Sequence, residues 1–207
     1  MTFREPAQTS TRGTRGILVA GPLIVLLAIA LSPIDILRRA HRGAPGRAEG
    51  AVMGGVKVFD SKTPAVANLD RDLLSALRQA ATDAAKNGIE IFVKSGWRSP
   101  KYQARLLKEA VSKYGTEAEA ARWVATPKTS AHVSGDAVDI GNSGAAEWLS
   151  KHGAKYGLCQ IYRNEPWHYE LRLRAIDHGC PPRYADATRD PRMQRRPQLR
   201  HTGRGHE

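Results

Sequence analysis

Cysteine is scarce in this chain, which has only Cys159 and Cys180 among its 207 residues. Neither lies in a C-x-x-C pattern, so the sequence argues against thiol redox catalysis and against a thiolate zinc site. A lone pair of cysteines is usually bonded in an oxidising compartment, and we predict a disulfide between these two. Two unrelated buried thiols are the alternative.

Aromatic residues are also few, at 6% of the chain, and the net charge of +12 is not concentrated in the middle of the sequence. Residues 1–54, 55–188 and 189–207 each carry four more basic than acidic residues, so the positive charge is densest in the two tails. Because the arginines of the tails lack interleaved aromatic side chains, we predict no nucleic-acid partner. The charge instead favours anionic surroundings such as a membrane face or a wall polymer.

No apolar run reaches the roughly 20 residues of a typical membrane span. The run ILVAGPLIVLLAIAL, residues 17–31, has fifteen residues and follows three arginines, a pattern typical of an export signal. The chain stays partly apolar to residue 37, which favours an uncleaved N-terminal membrane anchor. The small residues at 28–30 leave open a cleaved signal peptide and secretion. Either outcome places the rest of the chain in the cell envelope, outside the cytoplasm.

Composition divides the chain into segments around one domain, because a chain of this length buries one ordinary core. In order, we predict a basic N-terminal segment at 1–16, a signal or anchor segment at 17–37, a flexible linker at 38–55, a single domain at 56–186 and a disordered basic tail at 187–207. We expect the protein to be a monomer.

Hydrophobic periodicity within the domain alternates between strand and helix. Strands are predicted at 56–59, 89–95 and 137–140, a hairpin at 160–172, and helices at 69–85, 100–115, 116–123 and 145–156. This order predicts an α+β fold, with a small, largely antiparallel sheet flanked by helices.

The segment SAHVSGDAVDI, residues 130–140, places a carboxylate inside an apolar strand. Gly135 permits a sharp turn that would let His132 swing back toward Asp139. A salt bridge or a helix cap is the ordinary explanation for such an aspartate. A zinc site is the other, because neutral imidazole and carboxylate are usual zinc ligands.

A third ligand is suggested by EPWHYE, residues 165–170. His168 follows Trp167 in a predicted strand, and Glu165 stands three residues earlier, across a proline. If His168 binds a metal, Glu165 is placed to act as a general base toward water. A histidine in an apolar core remains the alternative for this motif taken alone.

Together with SGWRSPKYQ, residues 95–103, these two segments resemble the zinc D-alanyl-D-alanine carboxypeptidases of bacterial cell walls, including the vancomycin-resistance type. The resemblance covers about residues 56–175 and keeps the family's motif order. It implies a zinc peptidase domain acting on peptidoglycan stem peptides, from which it removes the C-terminal D-alanine. It also implies that His132, Asp139 and His168 bind Zn²⁺.

The same resemblance implies roles for five further residues. They are Glu165 as catalytic base, Arg98 as the group that polarises the carbonyl and stabilises the oxyanion, and Gln103, Ser130 and Trp167 as substrate-binding residues. An exposed helix cap remains the alternative for Arg98, and a solvated helical residue for Gln103.

The sequence departs from its relatives in ways that bear on specificity. Lys128 and Ala131 stand where relatives often have a glycine and an acidic residue, which affects the local loop shape. Only Arg163 and Asn164 separate the predicted strand at 160–162 from Glu165, where many relatives have a longer segment, and this short connection predicts a more open substrate cleft. An L,D-carboxypeptidase or endopeptidase on the same substrate, and a non-catalytic zinc-containing wall-binding module, are the alternatives. Retention of Glu165 and Arg98 argues against the non-catalytic module.

Overall fold

The computed structural model describes residues 46–194 of the chain. The predicted segments at 1–16 and 17–37 lie outside the described residues, as does the tail beyond residue 194. Within the described part, no helix is both long enough and apolar enough to span a bilayer.

The centre of the described chain is a five-stranded antiparallel sheet with the strand order β1-β2-β3-β5-β4. The strands are β1 Val56–Lys57, β2 Phe92–Ser95, β3 Ala137–Ile140, β4 Leu158–Gln160 and β5 His168–Leu171. All four residues of the central strand β3 are buried, because both faces of the sheet are covered. The predicted α+β fold with a small antiparallel sheet is confirmed.

Eight α-helices and three short 3-10 helices surround this sheet in the described chain. They are α1 Pro64–Ala67, α2 Arg71–Ala85, α3 Pro100–Tyr114, α4 Glu117–Ala120, α5 Ala131–Ser134, α6 Ser143–His152, α7 Ala175–His178 and α8 Pro191–Gln194, with 3-10 turns at Arg47–Glu49, Gly153–Tyr156 and Ala187–Arg189. The side chains of Asp70, Ser99 and Thr116 cap α2, α3 and α4 by accepting backbone N–H bonds. The sequence therefore sets the start of these three helices.

The two faces of the sheet have different chemistry, because successive side chains of a strand point to opposite sides. On one face, Val138 and Tyr169 join the main core against α2 and α6. Their strand neighbours Asp139, His168 and Glu170 are buried on the other face. The alternation thus separates a hydrophobic core from a buried polar site along the same two strands.

A disulfide joins Cys159 of β4 to Cys180, with an S–S distance of 1.97 Å and a sequence separation of 21. We expect the double variant Cys159→Ala/Cys180→Ala to lose about 3 kcal/mol of unfolding free energy, because the bond restricts a loop of this size in the unfolded chain. Urea denaturation of both proteins under non-reducing conditions would measure the difference. Equal midpoints would show that the bond adds no stability.

The folded domain begins earlier than residue 56, which corrects the predicted linker at 38–55 for its described part, 46–55. Glu49 forms salt bridges with Lys101 at 3.1 Å and Arg105 at 2.9 Å. Gly50 has φ 88°, and a Cβ on it would lie 2.0 Å from the carbonyl oxygen of Trp97. Composition does not reveal these contacts, because each partner is distant in sequence.

The fold also extends past residue 186, which corrects the predicted disorder at 187–207 for residues 187–194. Asp190 is fully buried and accepts a hydrogen bond from the hydroxyl of Tyr162 at 3.0 Å. Arg192 pairs with the buried carboxylate of Glu170 at 2.6 Å. Composition alone predicts that a charged, proline-containing segment is solvated, because its buried partners lie elsewhere in the sequence.

Candidate metal centre

Three potential metal ligands converge on the polar face of the sheet. His132 Nε2 lies 3.3 Å and His168 Nδ1 3.2 Å from Oδ1 of Asp139. The two imidazole nitrogens are 3.2 Å apart. All three side chains are buried, and their ligand atoms lie within 4.8 Å of one another. The structure therefore brings together the three residues predicted to bind metal.

Local backbone structure explains this convergence. The antiparallel register of β3 and β5 places Asp139 directly opposite His168. His132 arrives from the short helix α5, which ends at Gly135 with φ 84°. A Cβ at Gly135 would lie 2.6 Å from the carbonyl oxygen of Asn68, so this close turn requires glycine. The predicted turn is what returns the chain from His132 to β3.

The hydrogen bonds around both imidazoles fit metal binding. His132 Nδ1 lies 2.8 Å from the carbonyl oxygen of Gly96, and His168 Nε2 lies 3.2 Å from a carboxylate oxygen of Glu170. Each ring can donate its N–H to that oxygen and present the lone pair of its other nitrogen beside Asp139. Two such lone pairs and one carboxylate form a usual ligand set of catalytic zinc sites, which leave a further position open.

The electrostatics of the group favour a bound cation. Burial opposes ionisation of Asp139, but His132, His168 and Arg98 hold its pKa well below the ordinary value. Burial also opposes charge on His168, but its hydrogen bonds with Asp139 and Glu170 raise its pKa to about 9. Burial, together with the charge of Arg98, lowers the pKa of His132. The carboxylate of Asp139 is therefore ionised at neutral pH, and the surroundings of His168 favour a positive charge, whether it is carried by a proton or by a metal ion.

Arg98 lies beside this group. Its Nη2 donates to Oδ2 of Asp139 at 2.9 Å, its Nη1 to Gln103 at 3.1 Å and its Nε to Ser95 at 2.8 Å. Gln103 is 1% exposed and donates its amide N–H to the carbonyl oxygen of Ala125 at 2.8 Å. Neither alternative from the sequence holds, since Arg98 is not an exposed cap and Gln103 is not solvated.

Glu165 lines an inner cavity of about 280 Å³ together with the three candidate ligands and Arg98. Its backbone carbonyl accepts the N–H of His168 at 3.0 Å, which closes a turn next to the site. Within residues 46–194, the carboxylate of Glu165 makes no hydrogen bond or salt bridge. Burial raises its pKa to about 7. A carboxylate poised near neutral pH is suited to general base catalysis.

The three predicted substrate-binding residues also line the inner cavity. Gln103 and Ser130 are buried, whereas Trp167 is 41% exposed. Trp167 also lines a second, larger cleft of about 950 Å³, which borders the inner cavity at Arg98 and Asp139. Other residues of this outer cleft include Lys94, Tyr102, Asn142, Gln160 and Arg183. The two cavities therefore meet beside the candidate metal ligands.

Sequence reasoning missed the role of Glu170. This residue is fully buried, and its carboxylate contacts His168, Arg172 and Arg192. The available signal was its position two residues after His168, because residues i and i+2 of a strand share a face. The arginine partner at position 192 had no such signal.

The family model for VanY, D-alanyl-D-alanine carboxypeptidase, matches residues 66–172. A D-alanyl-D-alanine carboxypeptidase of Enterococcus faecalis is 33% identical over 122 residues, an alignment that covers 46% of this chain and 46% of the relative. The chain therefore aligns with about half the length of this curated relative.

Two solved structures illustrate the likeness. VanYB in complex with D-alanine-D-alanine has a TM-score of 0.49 and 28% identity, over 54% of this chain and 74% of that one. The LD-carboxypeptidase LdcB has a TM-score of 0.49 and 25% identity, over 64% of this chain and 73% of that one.

Proposed function

The chain belongs to the VanY family of D-alanyl-D-alanine carboxypeptidases, and we propose that it is a zinc-dependent peptidase that removes the C-terminal D-alanine from peptidoglycan stem peptides. The observation that carries this proposal is the buried group of His132, Asp139 and His168, with the carboxylate of Glu165 in the same cavity. A purely structural zinc site would need no such base.

Zinc held by these three side chains would supply Lewis-acid activation of water and of the scissile carbonyl. Glu165 takes a proton from the attacking water and passes it to the leaving amine, so the carboxylate is regenerated in each cycle. Arg98 keeps its charge throughout the reaction and stabilises negative charge that develops on the carbonyl oxygen. Its bonds with Asp139 and Gln103 fix the guanidinium in place before substrate arrives.

We place the C-terminal residue of the substrate in the inner cavity. Glu165 must reach the leaving amine, and it lines this cavity but not the outer cleft. Gln103 and Ser130 provide polar contacts for the leaving residue, and Trp167 contacts the peptide where the two cavities meet. The rest of the stem peptide then extends along the outer cleft.

We also propose that the domain acts in the cell envelope. Residues 17–37 would serve as a membrane anchor, or the domain would be secreted after signal cleavage. The disulfide between Cys159 and Cys180 supports an oxidising compartment.

Replacing Arg98 with methionine is expected to reduce turnover about 100- to 1000-fold, the usual effect of losing one oxyanion donor. Zinc content at saturating zinc should remain, because His132, Asp139 and His168 are all still present. Steady-state kinetics on a synthetic pentapeptide stem, with metal analysis of the same sample, would measure both effects. Arg71→Met, at the exposed start of α2, is the matched control. Wild-type turnover in Arg98→Met would remove Arg98 from the mechanism.

The proposed function is tested by incubating the full-length chain with purified muropeptides, with and without a chelator, and by following product masses. Loss of one alanine from pentapeptide stems, abolished by the chelator and restored by zinc, is the expected result. Cleavage only of tetrapeptide stems would indicate an L,D-carboxypeptidase, and cleavage of cross-links an endopeptidase. Intact muropeptides in the presence of zinc would refute the proposed function.

A further inference from the structure

A buried carboxylate supports His168 from the side opposite the metal-facing nitrogen. Glu170 lies two residues from His168 on β5 and is fully buried. Its Oε1 is 3.2 Å from His168 Nε2. Its Oε2 accepts hydrogen bonds of 2.6 Å from both Arg172 and Arg192. The imidazole is therefore held by a carboxylate that two guanidinium groups hold in turn.

Arg192 belongs to a segment that lies outside residues 66–172, the part of the chain that matches the family model. Its guanidinium contacts both carboxylate oxygens of Glu170 and the buried carboxylate of Asp190. Asp190 also accepts the hydroxyl hydrogen of Tyr162 at 3.0 Å. The guanidinium thus joins helix α8 to the strand that carries His168.

The segment that carries Arg192 is fastened independently of Glu170. Asp186 is buried and accepts a hydrogen bond from Nε of Arg122 at 3.0 Å. The backbone N–H of Tyr184 donates to the carbonyl oxygen of Ile161 at 2.9 Å. These contacts keep the segment against the domain, so the position of Arg192 does not depend on a single ion pair.

The charges of this cluster are balanced, with carboxylates at Glu170 and Asp190 and guanidinium groups at Arg172 and Arg192. Loss of Arg192 would leave two buried carboxylates beside one guanidinium. Glu170 would then be held by Arg172 alone, at Oε2, so its Oε1 would no longer be fixed against His168 Nε2.

We propose that Arg192 is a positioning residue of the metal centre, which fixes Glu170 against His168 Nε2 and so keeps His168 Nδ1 directed at the metal position beside Asp139. This inference rests on the proposed function only in taking His168 as a metal ligand. It makes residues 187–194 part of the active centre, although their composition is that of a solvated tail.

The test is the zinc affinity of the full-length protein, measured by competition with a chromogenic chelator and without substrate. Arg192→Met is expected to bind zinc about 10- to 100-fold more weakly, the usual effect of losing a partner that orients a ligand. Arg192→Lys should restore part of the affinity, because an ammonium group can pair with one carboxylate but lacks the planar fork. Arg189→Met, on the same segment but exposed, should bind zinc as the wild type does.

Two further variants separate positioning from general loosening of the segment. Asp186→Asn weakens its attachment to Arg122 without touching Glu170 and should keep wild-type zinc affinity. Glu170→Gln should lose affinity as Arg192→Met does, and it carries the test together with Arg192→Lys if Arg192→Met does not fold. Circular dichroism of the metal-free proteins establishes folding.

Wild-type zinc affinity in folded Arg192→Met overturns the proposal, as does an equal loss of affinity in Asp186→Asn. If Arg192→Met does not fold, wild-type affinity in Glu170→Gln overturns it. A wild-type protein that binds zinc but removes no alanine from muropeptides would refute the proposed function and leave this inference intact.

Discussion

Turnover is expected to fall about 100- to 10,000-fold when Glu165 is replaced by glutamine, the usual range for loss of a general base. The amide has nearly the shape of the carboxylate but cannot accept a proton from water at neutral pH. Zinc content should not change, because the side chain of Glu165 does not join the group formed by His132, Asp139 and His168. Single-turnover kinetics on a pentapeptide stem, with metal analysis of each sample, would separate chemistry from binding.

The pH dependence of the wild type offers a second test of the same role. Burial raises the pKa of Glu165 to about 7, and a bound cation would lower it because it favours the carboxylate. A base works only when deprotonated, so kcat/KM should decline as the pH falls through this pKa. The Glu165→Gln variant should lack this acid limb. Glu119→Gln is the control, because Glu119 is exposed and pairs with Arg122 at the surface. Wild-type kinetics in Glu165→Gln would exclude Glu165 as the base.

The sheet and its polar face could be predicted because their signals are local. Asp139 stands between Val138 and Ile140, and strict alternation puts the carboxylate opposite the core side chains. Gly135 marks the turn before β3, and Ser99 with Pro100 marks the start of α3. Each of these features depends on residues within a few positions of one another.

The contacts of Arg98 could not be worked out from local pattern. Its partner Asp139 is 41 residues away in sequence, and its contact appears only once β2 and β3 pair. The family resemblance implied a role for Arg98 near the carbonyl, but not that Gln103 and Asp139 would fix its guanidinium. Tertiary register, rather than propensity, determines this part of the site.

The ends of the domain were mispredicted for a related physical reason. Segments rich in glycine, proline and charge bury little apolar surface, so composition predicts that they stay solvated. Glu49 and Asp190 instead find charged or hydroxyl partners across the fold. A few ion pairs and hydrogen bonds with partners distant in sequence are enough to order short segments that show no hydrophobic periodicity of their own.

Removing Asp139, the proposed carboxylate ligand, should have the largest effect of any single change in the site. In Asp139→Ala, zinc-dependent turnover is expected to fall to that of the chelated wild type, because only His132 and His168 remain as ligands. The same change leaves the largely buried guanidinium of Arg98 without its charged partner. Breaking a buried ion pair typically costs about 3–5 kcal/mol, so the metal-free protein should also lose stability.

Asp139→Asn separates these two consequences. Its amide oxygen can still accept a hydrogen bond from Arg98, so most of the stability should return, but a neutral amide is a far weaker zinc ligand than a carboxylate. Chelator competition and urea denaturation would measure affinity and stability on the same samples. Asp136→Asn is the matched control, because Asp136 is exposed just before β3 and its carboxylate accepts a hydrogen bond only from the nearby hydroxyl of Ser134 among the described contacts. Wild-type zinc affinity in Asp139→Asn would mean that the two histidines hold the metal without this carboxylate.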